Sequence, residues 1–238
     1  MKSLFALLAL SVTATAMPAW ADEPASPLSF NASLTTDYRY RGISQTRLKP
    51  ALQGGADYDF GNGFYLGTWA STIKWVKDGG GDASVEIDVY GGYKTEISKG
   101  LTLDVGLLQY VYPSNKLSPS ANTLEIYGAL TYGVFTAKYS HSTSNLFGFP
   151  DSKGSGYLDL SAALDLGEGF TLTPHVGHQR VKNLGSASYT DYSLTLAKDY
   201  AGFTWSGALV RASTDAYVGP GDKNLGKSAL VLAVKKVF

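Results

Sequence analysis

Apolar and polar residues alternate with period two from residue 28 to the end of the chain, and no stretch of helical period reaches a useful length after residue 21. The clearest run sets Val85, Ile87, Val89, Gly91 and Tyr93 against Glu86, Asp88, Tyr90, Gly92 and Lys94. In an extended strand these are its two faces. Residues 28–40 repeat the form, with Phe30, Ala32, Leu34, Thr36, Tyr38 and Tyr40 opposite Ser29, Asn31, Ser33, Thr35, Asp37 and Arg39. Later, Leu158, Leu160, Ala162, Leu164 and Leu166 oppose Asp159, Ser161, Ala163 and Asp165. Two runs are less regular: residues 64–76 blur the alternation, and Pro174 within residues 170–181 predicts a bulge or a missing ladder bond.

About twelve runs are expected in all. Five tight turns, such as Gly61-Asn62-Gly63 and Gly167-Glu168-Gly169, alternate with six longer polar loops, such as residues 77–83 and 145–155. An even count with this asymmetry predicts an all-β fold, an antiparallel transmembrane β-barrel of about twelve strands with both termini on the periplasmic side. A soluble sandwich also has period-two strands, but its loops need not alternate short and long. The last run, residues 227–238, has a greasy face of Ser228, Leu230, Leu232, Val234 and Phe238, and closure requires it to bond both the run before it and residues 28–40.

Aromatic positions fit two membrane girdles. Phe60, Phe64, Tyr93, Tyr132, Phe135, Phe170, Tyr200 and Phe203 stand beside tight turns, and Tyr38, Tyr40, Trp75, Tyr110, Tyr112, Tyr139, Tyr157 and Tyr189 near long loops. The first residues read as a leader, with Met1-Lys2, an apolar stretch over residues 4–12 and Ala19-Trp20-Ala21 as the cleavage site. The expected organisation is a signal peptide at 1–21, a short tail at 22–27 and one barrel at 28–238. Export would permit disulfides, but the chain has no cysteine, so thiolate metal sites are excluded too. Its formal charge is zero with acids and bases interspersed, which argues against a nucleic-acid partner.

The inward faces carry the candidate chemistry. By this register the lumen is lined by Asp37, Arg39, Asp57, Asp59, Glu86, Asp88, Lys94, Asp104, Glu125, Lys138, Asp159 and Asp165, with Asp191 and Lys235 also inside. Acids outnumber bases, which favours passive diffusion of small hydrophilic solutes, cations or zwitterions above all. The competing reading is that Arg39 faces an acidic wall, pairs with it and knits the lumen shut. Arg41 is expected at the loop end of the same face.

Asp37-Tyr38-Arg39-Tyr40-Arg41-Gly42-Ile43-Ser44-Gln45-Thr46, Gln53-Gly54-Gly55, Gly63-Phe64-Tyr65-Leu66-Gly67-Thr68-Trp69-Ala70-Ser71, Glu86-Ile87-Asp88-Val89-Tyr90-Gly91-Gly92-Tyr93 and Tyr110-Val111-Tyr112-Pro113 resemble the TorF family of proteobacterial porins. The resemblance implies an outer-membrane channel and supplies no catalytic residue, cofactor or solute. Phe238 resembles the terminal aromatic by which the outer-membrane assembly machinery recognises many barrels; Lys236 departs from that signal but can snorkel at the rim.

Two rival functions remain. An outer-membrane phospholipase is suggested by His141-Ser142-Thr143-Ser144-Asn145, although Thr143 takes the nucleophile's place and Ser144 faces away from His141 in a regular strand. A plugged structural barrel that binds a partner through its loops is the other. No metal site is expected, because His175 and His178 face opposite ways and residues 219–224 read as turn chemistry.

Overall fold

The computed structural model describes residues 26–238. The expected leader and most of the tail lie outside the described residues. Twelve antiparallel staves form the wall: β1 (Leu28–Thr35), β2 (Ala51–Asp59), β3 (Phe64–Thr72), β4 (Val85–Ser98), β5 (Leu101–Val111), β6 (Thr123–Tyr132), β7 (Phe135–Ser142), β8 (Gly156–Ala162, continuing as Leu164–Gly167), β9 (Phe170–Arg180), β10 (Tyr189–Tyr200), β11 (Phe203–Ala212) and β12 (Ala229–Val237). Each pairs with its neighbours in sequence, and β12 pairs with both β11 and β1. Closure leaves no open edge in the wall, the condition for a sheet to sit in lipid. It extends to the last residue, where Phe238 N–H donates to the Phe30 carbonyl at 2.9 Å.

Short turns and both described ends share one rim, and the longer connections share the other. The uncertain registers resolve. In β3, Tyr65, Gly67, Trp69 and Ser71 face inward, because Leu66 pairs with outward Tyr58 and Gly91. Pro174 pairs with Leu194 on one side and lies opposite the break in β8 on the other, where it has no N–H to donate. The outward face is aliphatic, with Leu34, Leu52, Leu107, Leu209 and Leu230 more than half exposed, as lipid contact requires.

The turn-side girdle is present. Phe60, Phe64, Tyr132, Phe135, Tyr200 and Phe203 are exposed on the outer surface, and Lys236 leans over the Phe203 and Phe238 rings at 5.3 and 5.2 Å. The expected loop-side girdle is not: Tyr139 alone of its members is exposed on the outer surface, while Tyr38, Tyr110, Tyr112, Tyr157 and Tyr189 are buried. Trp75 begins a one-turn helix, α1 (Trp75–Asp78), and packs on Tyr112. These aromatics fill the lumen because the first run leaves the wall early. β1 ends at Thr35, and residues 36–50 turn inward.

Candidate functional site

Within residues 36–50, Arg39–Tyr40 pairs with Ile43–Ser44 as a miniature hairpin. Its turn is Arg41-Gly42, with φ of 46° and 81°. Two positive φ values are the signature of the tight hairpin turn that follows strand twist. Gly42 suits it twice over, because a Cβ there would also stand 2.7 Å from Asp191 Cβ. Arg41 has no such ease in this conformation and is held by what its side chain reaches.

Asp37 organises the base of the hairpin. Its carboxylate accepts from Arg39 Nε at 2.8 Å, Ser44 Oγ at 2.5 Å and Thr46 Oγ1 at 3.1 Å. Arg39 also donates to the carbonyls of Gly42 and Lys227. The acidic wall is therefore met by Arg41, not by Arg39. Arg41 Nη2 donates to both Glu125 oxygens, at 3.0 and 2.7 Å, and Nη1 donates to Gln179 Oε1 at 2.6 Å. The guanidinium lies between the rings of Tyr40 and Tyr157, 4.7 and 4.2 Å from their centroids.

The hairpin touches the wall almost all the way round. Tyr38 Oη donates to Glu86 on β4 at 2.8 Å, Tyr40 and Tyr110 of β5 share a hydroxyl contact of 2.7 Å, and Arg41 reaches β6, β8 and β9. Gly42 abuts Asp191 on β10 and Ala212 on β11. Burial, with Glu86 and Asp88 beside it, keeps the Tyr38 phenol protonated well above its usual range, so it remains the donor to Glu86. From the loop side, Phe147 packs edge-on against Tyr40 and Tyr110. A segment so anchored crosses the lumen at this level.

The expected lumen residues divide into four groups. Asp37 and Arg39 are inside but belong to the hairpin, not to a stave. Glu86, Asp88 and Glu125 stand on the wall at exposures of 1%, 0% and 2%, sealed by the hairpin and not lining a water path. Neither Asp88 carboxylate oxygen has a hydrogen-bond partner among the described residues. Asp57, Lys94, Asp104, Lys138 and Asp159 face the lumen on the turn side, where acids and bases mix. Tyr90 donates to Asp57 at 2.5 Å, Tyr65 donates to Asp104 at 2.6 Å, Lys94 stands opposite Asp104, and Lys138 covers the Tyr127 ring at 4.0 Å. Asp59 and Asp165 sit at the turn rim, where each accepts a backbone N–H of its own turn, from Gly61 and Gly167.

The sequence did not single out His175 as a lumen centre. Its Nε2 lies 2.9 Å from Asp159, its Nδ1 lies 3.6 Å from Asp191, and Tyr157 joins them by donating to Asp191 at 3.0 Å. Tyr157 reaches this place by lying across Gly177 on β9, where any Cβ would run into its hydroxyl. His178 faces outward and contacts Thr190, as the spacing required. Within the phospholipase-like segment, Ser144 Oγ accepts from Leu124 N–H, and no serine hydroxyl contacts His141 among the described residues.

The family model described as "Bacterial protein of unknown function (Gcw_chp)" matches residues 21–238. No curated protein matches the sequence. Among solved structures, the barrel is similar to the KdgM porin, with a TM-score of 0.58 and 9% identity over 88% of this chain and 99% of that one. It is also similar to the NanC porin, with a TM-score of 0.54 and 11% identity over 88% and 98% of the two chains. A second structure, KdgM in complex with disordered oligogalacturonate, gives a TM-score of 0.57 at 9% identity, covering 89% and 98%. At these identities the likeness is one of fold.

Proposed function

The chain belongs to the Gcw_chp family of bacterial proteins of unknown function, and we propose that it is an outer-membrane porin-like channel whose loop-side mouth is closed by the hairpin at residues 38–46. The porin fold, the apolar outer band and the polar turn-side lumen support a channel. The resemblance to the TorF porins points the same way. One observation carries the closed state: Arg41 spans the lumen to Glu125 and Gln179.

Opening would withdraw Arg41 and uncover Glu86, Asp88 and Glu125 at the narrowest level. Glu125 freed from Arg41 and Glu86 freed from Tyr38 would then stand with Asp88 and favour cationic or zwitterionic small solutes. Closed, Glu86 and Glu125 hold the hairpin. Both readings of the acidic lumen thus describe one device in two positions.

Planar-bilayer conductance tests this. The wild type should give small or rare steps, and replacing residues 38–46 by a short Gly-Ser linker should give larger, sustained ones. Adding Glu86→Gln and Asp88→Asn to the linker variant should then reduce cation preference. Identical records from wild type and linker variant would overturn the closing role. Silence from both, with a folded heat-modifiable barrel, would favour a structural barrel over a channel.

A further inference from the structure

The outer surface of the barrel is uneven at its loop end. On β2 to β6 the outward positions nearest the loops are Leu52, Thr72, Val85, Val111 and Leu124, none of them charged. On β7 and β9 the corresponding level carries His141 and Arg180, which flank Gly156 of β8 in register. Lys182 follows in the next loop. A side-chain carbon at Gly154 would lie 3.5 Å from Lys182 Nζ and 3.8 Å from His141 Cε1, so both stand over one small backbone platform. Lys153 adjoins it in sequence.

Arg180, Lys182 and Lys153 are exposed, and their side chains make no ion pair among the described residues. The two loops concerned, residues 143–155 and 181–188, contain one carboxylate, Asp151, which is also exposed. Below it the outward face carries Leu158, Leu160, Val176 and Tyr139, with His178 beside Leu158. A guanidinium and two ammonium groups above an aliphatic wall match an amphiphile with acyl chains below and phosphate above.

We infer that this patch holds the phosphate groups of a phosphorylated glycolipid of the outer leaflet. Lys182 and Arg180 supply the charge, and Leu158 and Val176 meet the acyl chains. The assignment to the outer leaflet rests on the outer-membrane reading proposed above and on the expected periplasmic termini, which turn the loop end outward.

The purified protein in detergent should bind lipopolysaccharide with phosphorylated lipid A more tightly than the same glycolipid after dephosphorylation. Arg180→Gln with Lys182→Gln should weaken binding to the phosphorylated form about tenfold, or about 1.4 kcal/mol, while the barrel stays heat-modifiable. Equal affinities of wild type and double variant would overturn the inference. If that variant fails to fold, the wild type alone decides, because equal binding to phosphorylated and dephosphorylated glycolipid would overturn it. Tighter binding to phosphatidylglycerol micelles would replace the glycolipid with a phospholipid and also overturn it. Orientation is read separately by labelling Ser186→Cys with a membrane-impermeant maleimide on whole cells, in a chain without other cysteines. Labelling only after solubilisation would overturn the outer-leaflet assignment and leave the detergent binding result standing.

Discussion

Arg41 holds the most consequential single set of contacts in the molecule. Its partner Glu125 is buried, so Arg41→Gln leaves a carboxylate without its counter-charge. Loss of one partner of a buried pair costs about 3–5 kcal/mol. The expected outcome is a lower urea midpoint, together with larger or more frequent conductance steps. Arg41→Lys should not restore either, because an ammonium cannot serve Glu125 and Gln179 together in the flat slot between Tyr40 and Tyr157. At Gly177 the constraint is space: Gly177→Ala should displace Tyr157 from Asp191 and cost about 1–3 kcal/mol, as overpacking does. Folded stability unchanged by that substitution would show that Tyr157 does not need the glycine.

At the scale of elements, the hairpin and the staves obey different constraints. A stave is fixed by its ladder and by lipid on one face, so its facing follows from alternation alone. The hairpin has no ladder to a stave: backbone bonds from Ser44 N–H to Leu225 and from Lys74 and Trp75 N–H to Gln45 tie it to two loops, and side chains set the rest, with Asp37 at its base and Tyr38, Tyr40 and Arg41 along its reach. Removing residues 38–46 should therefore open the mouth without melting the barrel, which heat-modifiability on gels would register. Residues 28–40 read as one continuous strand because Tyr38 and Tyr40 keep the alternation going. Period two cannot distinguish a strand that continues along a wall from one that bends through it. The Arg41-Gly42 turn was the available sign of the bend.

For the whole molecule, closure depends on the C-terminal residues. Val237 pairs with Asn31, and Phe238 exchanges backbone bonds with Phe30. Deleting Phe238 removes these bonds and the terminal aromatic at once, and should lower the amount of heat-modifiable barrel recovered from outer membranes. Normal recovery would separate the terminal aromatic from assembly.

The class, the number of staves, the alternation of turns and loops, the closing role of residues 227–238 and the side on which Glu86, Asp88, Glu125 and Asp159 stand can all be read along the chain. Each follows from the two-residue period and from the short turns that set register, which are local properties. That Tyr38, Tyr110, Tyr112 and Tyr157 are buried in the mouth and do not girdle it emerges with the folded barrel. It alone placed Arg41 on Glu125 and His175 between Asp159 and Asp191. Arg41 and Glu125 are 84 positions apart and meet across the lumen, while His175 meets Asp159 and Asp191 diagonally from the adjoining staves β8 and β10. No pattern along the chain encodes which side chains meet once the sheet has rolled shut.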